Sequence, residues 1–234
     1  KWNWKAENMG KQINVALVGN PNTGKTSVFN QLTGLTQKIG NYPGITVEKK
    51  EGVTKLSRIL TAHILDLPGT YSLNASSLDE NVVIDLLMNC NHKDYPDVAV
   101  VVSDIENLKR NLLLFTQIKD LGIPTILAIN MADRMERKGI ELEIPKMEEQ
   151  LKTKIALISA RKKTGFDELK KHIKNYSFLS TSPCCNVSSI DKNYFDKLEA
   201  TYPDQGRYKL WLLITQDANF GELDRNTIKS KNGL

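Results

Sequence analysis

Cysteine is scarce in this chain: three thiols in 234 residues, Cys90, Cys184 and Cys185. An odd count with one adjacent pair excludes a disulfide framework, offers neither C-x-x-C metal spacing nor a redox motif, and fits a reducing compartment. Histidine is equally sparse. His63, His92 and His172 lie far apart in sequence, so no His/Cys/Asp cluster looks like a transition-metal site. No apolar run approaches the roughly 18 residues of a bilayer-spanning helix; the longest, such as Val98–Val102, have strand length. A signal-peptide pattern is missing, and the chain starts at Lys1 without a methionine. It therefore reads as a piece of a longer protein, and the lack of membrane segments says little about the parent. Blocks of like charge are absent too. The net charge of +5 is scattered through pairs such as Lys49-Lys50, Lys162-Lys163 and Lys170-Lys171, which exposed faces explain better than a nucleic-acid tail. What remains is 40% hydrophobic and 25% charged, the composition of a globular domain with a small appendage and a core that needs no staples.

Apolar runs of strand length alternate with helical patterns. Ile13–Val18 is a β-rich run ending in Gly19, and a helix should follow from Lys25 to about Leu32. Thr46–Lys55 and Ile59–Leu65 read as two strands. Val98–Val102, Thr125–Ile129 and Ile155–Ile158 are near-continuous apolar runs, as strands buried on both faces of a parallel sheet require. Leu78, Val82 and Leu86 recur at helical spacing, as do Leu108, Leu112, Phe115 and Ile118. Phe166–Ile173 opens a further helix with Asp167 and Glu168 in its first turn. The alternation predicts a doubly wound α/β fold, a mostly parallel sheet flanked by helices. After Tyr176 the composition changes. Ser180–Ser189 reads as a linker, and residues 178–234 as a small helical appendage to a domain spanning 12–177, with 1–11 as a leader.

The strongest signal is Gly19-Asn20-Pro21-Asn22-Thr23-Gly24-Lys25-Thr26, followed by Ser27. It matches G-x-x-x-x-G-K-[ST] at every fixed position, after a strand and opening a helix. A glycine-flanked loop lets backbone N–H groups converge on phosphate oxygens, and the helix N-terminus adds a favourable dipole. Lys25 is placed to reach the β- and γ-phosphates, and the Thr26 hydroxyl to ligate magnesium. Asp66-Leu67-Pro68-Gly69 follows where the third strand ends, the aspartate holding magnesium and Gly69 offering its N–H to the γ-phosphate. Asn130-Met131-Ala132-Asp133 comes after the strand Thr125–Ile129. The Asp133 carboxylate accepts from N1–H and the N2 amine of guanine, a pair of donors that adenine lacks. Asn130 braces the loop, and Met131 stands where the common N-K-x-D form has lysine. Ser159-Ala160-Arg161 closes the set as a loop whose backbone meets the guanine O6. Each short motif is weak alone; four in chain order at strand C-termini, where open α/β sheets bind ligands, argue for GTP hydrolysis.

Two segments should respond to the γ-phosphate, Leu35–Thr46 and Thr70–Glu80. Thr46 is the candidate hydroxyl that closes on magnesium. Small regulatory GTPases place glutamine after D-x-x-G to orient water; here stands Thr70, which predicts a slow intrinsic rate. Asp79 and Glu80 fit the acidic first turn of a helix.

The runs GNPNTGKTSVFNQLTG, GNYPGITVEKKEG, DLPGTYSL and NMAD resemble the cytosolic G domain of the ferrous iron transport protein B (FeoB) family, the segment Asn41–Val47 being the most specific. The likeness covers about residues 12–176, and the tail is loosely similar to the family's helical spacer, a GDP-dissociation-inhibitor-like domain. The resemblance implies the soluble part of a prokaryotic Fe(II) transporter, at the cytoplasmic face of the bacterial inner membrane. Its partners would be GTP and GDP, the membrane-spanning remainder of the polypeptide and a small accessory protein of the iron uptake system, with no nucleic acid and with homo-oligomers left open. The resemblance further implies potassium activation through Asn22, with carbonyls around Gly40 and Tyr42 completing the cation's shell. Two rivals stay open. One is a ribosome-assembly GTPase, which shares the loop asparagine but reads D-T-P-G and carries an RNA-binding domain that 178–234 does not suggest. The other is a sensor that binds GTP or GDP without hydrolysis.

Overall fold

The computed structural model describes residues 10–34, 37–42, 44–74, 77–184 and 191–215. Outside them lie most of the leader, Leu35, Thr36 and Pro43 of the first responsive segment, Ala75 and Ser76 of the second, and residues 185–190 and 216–234 of the linker and appendage.

The strands are β1 (Lys11–Gly19), β2 (Gln37–Asn41), β3 (Glu48–Lys55), β4 (Leu60–Asp66), β5 (Val98–Asp104), β6 (Thr125–Asn130) and β7 (Lys154–Leu157). They form one sheet in the order β2-β3-β4-β1-β5-β6-β7. All pairings from β4 to β7 are parallel, while β2–β3 and β3–β4 are antiparallel. The order reverses at β1, which sets the ligand crevice beside its C-terminal end.

Alternation along each strand builds two cores. Ala16, Val18, Leu65, Ala99, Val101, Leu127 and Ile129 face one way. They meet Val83, Leu86 and Leu87 of α2 (Leu78–Met88) and Leu114, Phe115 and Ile118 of α3 (Leu108–Asp120). Val15, Leu17, Ile64, Val98, Val100, Val102 and Ala128 face the other. They meet Val28, Phe29 and Leu32 of α1 (Lys25–Thr33) and Leu169 and Ile173 of α6 (Phe166–Lys174). All seven residues of β5 are buried. A side chain of this kind contributes about 1.5–3 kcal/mol when fully buried, and a one-residue slip would send every apolar group to the opposite face, so burial fixes the register.

Several elements differ from the sequence expectation. β3 starts at Glu48 rather than Thr46, because the Tyr42 N–H bonds the Val47 carbonyl and the Ile45 N–H bonds that of Tyr42, which engages Val47 before the strand begins. The edge strand β2 was not expected, and its burial pattern explains why: a polar, largely exposed run has no apolar period to read. Two further helices, α4 (Met135–Lys138) and α5 (Ile144–Leu151), also lack an expected counterpart. α4 is one turn long, and α5 has no fully buried residue.

Past Phe178 the chain to Cys184 forms neither helix nor strand and is fastened to the end of α3. Lys119, fully buried, donates from Nζ to the carbonyls of Lys152 (2.9 Å) and Ser180 (2.6 Å). Burial pulls its ammonium below the usual lysine range. Asp120 accepts from the Cys184 N–H. α7 (Lys192–Thr201), capped by Asp191, packs on α8 (Arg207–Thr215) through Phe195, Leu198, Leu210 and Leu213. Tyr208 and Leu212 of α8 join the first core of the sheet.

Candidate functional site

The loop Gly19–Thr26 leaves β1 and enters α1 under tight steric limits. A Cβ on Gly19 would lie 2.6 Å from the Val102 carbonyl oxygen. Gly24 has φ +78°, and a Cβ there would lie 2.5 Å from Asn130 Nδ2. Thr23 is buried, its hydroxyl donating to the Asn20 carbonyl at 2.9 Å, so the loop's shape is fixed from within. Asn22 also has positive φ, 68°.

Asn130 ends β6 and is buried. Its Nδ2 donates to the Thr23 carbonyl at 2.9 Å, and its Oδ1 accepts from the Ala160 N–H at 3.1 Å. One carboxamide therefore joins the Gly19–Thr26 loop to the loop after β7. Next to it the Ser159 hydroxyl donates to Asp133 Oδ1 at 2.6 Å. That bond holds the Asp133 carboxyl below the ordinary carboxylate range. Met131 takes left-handed backbone, φ 63°, and packs partly against the first core.

These residues line a hollow of about 310 Å³: Gly24, Ser27, Asn130, Met131, Asp133 and Ser159–Arg161, with Asn30, Gln31 and Arg134. A second hollow, about 330 Å³, is lined by Lys25, Thr26, Thr46, Asp66 and Leu67–Gly69, among others. Here the Lys25 ammonium donates to Asp66 Oδ1. Burial raises the Asp66 carboxyl's pKa, and the Lys25 charge opposes that rise. A third hollow, about 230 Å³, has Asn20, Pro21 and Asn22 on one wall and Tyr71, Asn107, Arg110 and Asn111 on others. Gly40 and Tyr42 line none of these three. Gly40 pairs with Lys49 at the sheet edge.

The chemistry on offer is directional. The first hollow presents a carboxylate oriented by a hydroxyl, beside the start of α1. The second presents three carboxylates (Glu48, Asp66 and Asp79), two hydroxyls and the ammonium groups of Lys25 and Lys50, hard donors and charges suited to phosphate and a small divalent cation. Thr70, at the position where a water-orienting glutamine is common, is 1% exposed and turned inward. Its hydroxyl lies 2.8 Å from the Ser72 carbonyl and 3.0 Å from Glu80 Oε1. Ser77, the N-cap of α2, accepts from the Glu80 N–H, so Asp79 and Glu80 do form the first turn of a helix. The sequence reading passed over Arg110 and Gln117, which reach the Tyr71–Leu73 segment from α3. Their signal was the spacing of seven, two helical turns on one face.

Gly24→Ala tests the crowding. Left-handed backbone costs an L-residue about 1–2 kcal/mol, and Asn130 must also yield. The variant should melt lower and bind guanine nucleotide about tenfold more weakly, a loss of about 1.4 kcal/mol. Unchanged melting and titration curves would reject this account of the contact.

The family model described as ferrous iron transport protein B matches residues 13–173. The Fe(2+) transporter FeoB of Leptospira biflexa is 44% identical over 160 residues, which is 68% of this chain and 23% of the relative. A Porphyromonas gingivalis Fe(2+) transport protein A/Fe(2+) transporter FeoB fusion protein is 41% identical over 160 residues, 68% of this chain and 18% of the relative. The chain thus spans less than a quarter of the length of these curated relatives. The crystal structure of the cytosolic domain of the T. maritima FeoB iron transporter in GDP form I superposes with a TM-score of 0.79 at 32% identity, covering 96% of this chain and 86% of that one.

Proposed function

The chain belongs to the ferrous iron transport protein B family, and from that premise we propose that it binds GTP and GDP and hydrolyses GTP. The observation that carries this reading is the Asn130 carboxamide, which ties the phosphate-type loop to the loop after β7. The two ends of one nucleotide are thereby held at a fixed separation, with Asp133 and Ser159 between them at the base end.

In this reading the backbone N–H groups from Asn20 to Thr26 wrap the phosphates and the start of α1 faces them. Lys25 exchanges Asp66 for the β- and γ-phosphate oxygens, and Gly69 offers its N–H to the γ-phosphate. Asp133 accepts from the guanine N1–H and N2 amine, Ala160 and Arg161 meet the base with backbone, and Met131 packs on it. Magnesium fits the donor set: Thr26, Thr46 and Asp66 share a hollow, and the buried Asp66 carboxylate already has a cation beside it. When bound, such an ion would supply positive charge to the phosphate oxygens. With Thr70 buried, no side chain at that position orients water, which supports slow intrinsic turnover.

Potassium activation would rest on Asn22, which lines the third hollow, with carbonyls around Gly40 and Tyr42 completing the cation's shell. A monovalent cation at Asn22 would add positive charge next to the phosphates. We also propose that residues 12–177 form the G domain and 178–234 a helical spacer, the whole attached to a membrane-spanning Fe(II) transporter at its cytoplasmic face. The fusion relative supports a partner of the Fe(2+) transport protein A kind.

Calorimetric titration with GDP, GTP and ADP in magnesium tests the core reading. Heat with the guanine nucleotides alone is expected, and no heat with any of them from folded protein would reject it. Phosphate release in potassium and in sodium, with Asn22→Ala alongside, tests the cation. Faster release in potassium, lost in the variant, is expected; equal rates in both salts would remove potassium from the account.

A further inference from the structure

The segment Thr70–Asn74 is held at four points. The Thr70 N–H bonds the Gly19 carbonyl at 3.2 Å, and the Thr70 hydroxyl points at Ser72 and Glu80. The Leu73 N–H donates to Gln117 Oε1 at 2.9 Å, while its side chain, 1% exposed, sits in the core beside α3. The Arg110 guanidinium lies over the Tyr71 ring, 4.6 Å from its centroid. Two of these four holds come from one face of α3, residues 110 and 117, and neither residue belongs to a nucleotide-binding motif.

Two further features accompany the clamp. Lys25 is bonded to Asp66, and the side chain after Gly69 is turned inward. Beside the clamp, the Asn20 carboxamide is buried with both polar atoms unpartnered. Buried polar groups in a final arrangement are almost always hydrogen-bonded. This amide lies in the wall shared with Asn22, Tyr71 and Arg110, where the loop after β1 and the 70–74 segment meet.

We propose that Arg110 and Gln117 of α3 are positioning residues that hold Thr70–Asn74 in the form unable to meet the γ-phosphate, and so set the preference between GDP and GTP. This rests on the reading of the chain as a GTPase. A ligand shifts such an equilibrium only through its differential affinity for the two forms. Loosening the clamp therefore favours GTP and leaves GDP alone. Gln117 acts as an acceptor, so glutamate at this position keeps the hold and alanine loses it.

The experiment has two readouts on the 234-residue chain. The first needs no nucleotide: hydrogen exchange of the Leu73 amide. It should quicken about tenfold or more in Gln117→Ala as that bond's local opening becomes easier, and return to the parent rate in Gln117→Glu. An unchanged Leu73 rate in Gln117→Ala would overturn the clamp whether or not nucleotide binds. The second is affinity for GDP and for the β,γ-imido analogue of GTP. Arg110→Ala and Gln117→Ala should each bind the analogue about three- to tenfold tighter, with GDP affinity and melting temperature near the parent's. Equal shifts for both nucleotides, no shift, or weaker analogue binding would each reject the proposal. Failure of every variant and the parent to bind any guanine nucleotide would instead strike the functional reading, with the Leu73 rates still deciding the clamp.

Discussion

Lys25→Met is expected to lower single-turnover GTP hydrolysis about 10²–10³-fold, the usual cost of removing one preorganised charge-stabilising donor from a transition state. The argument is electrostatic. Phosphoryl transfer spreads negative charge over the γ-oxygens, and in the proposed reading the lysine of this loop is a cation held beside them. Methionine keeps much of the length and apolar stem and deletes only the charge. A second effect concerns the empty protein. Lys25 is the partner of Asp66, whose side chain is only 4% exposed. Breaking a buried pair by removing one member commonly costs about 3–5 kcal/mol, because a lone charge stays behind. The carboxyl can limit that cost by taking up a proton. Burial already holds its pKa above the ordinary 3.8 with Lys25 opposing, and the variant loses the opposing charge. A folded pKa above the unfolded one gives a contribution that is complete below 3.8 and lost as pH rises through the folded value. The deficit in melting temperature against the parent should therefore widen from acid toward neutral pH. A constant deficit, or full turnover, would be evidence against these roles for Lys25.

Asp133→Asn should weaken guanine nucleotide binding by about 3 kcal/mol, a hundredfold or more. Guanine presents two donors, N1–H and the N2 amine, and a carboxylate accepts both. A carboxamide accepts one and turns its own amine toward the other. The same change creates a match for xanthine, which carries a carbonyl in place of the N2 amine. GTP should lose affinity while xanthosine triphosphate gains it, and ATP should stay excluded. The Ser159 hydroxyl keeps an acceptor in the asparagine oxygen, so the fold of the loop should survive. Guanine binding as tight as the parent's would show that the base lies elsewhere.

Strands with both faces covered were legible because their composition leaves no alternative. Val98–Val102 has no polar residue, and it lies inside the sheet between β1 and β6. The loop at Gly19–Thr26 was legible because its spacing encodes a backbone shape. β2 was not, since Gln37–Asn41 is exposed and gets its conformation from pairing with β3. α5 was not, because its apolar residues are only half covered. In the candidate site, residue types were readable and partnerships were not. Nothing in the spacing says that Asn130 reaches both Thr23 and Ala160, or that Asp66 rests on Lys25. Nor does it say that Gln117 takes the Leu73 amide. Such contacts depend on how far each strand carries its last residue past the sheet edge.

In the proposed reading, the Asn130 splice divides the labour of nucleotide capture. At the base end the mould is cast before any guest arrives, so the purine costs little reorganisation and its contribution is nearly the same for diphosphate and triphosphate. At the phosphate end, on the same reading, Lys25 exchanges Asp66 for phosphate oxygens, so that end carries the reorganisation. Whatever work this fold draws from telling three phosphates from two is therefore done at that end, while the base end serves only to hold the molecule in place.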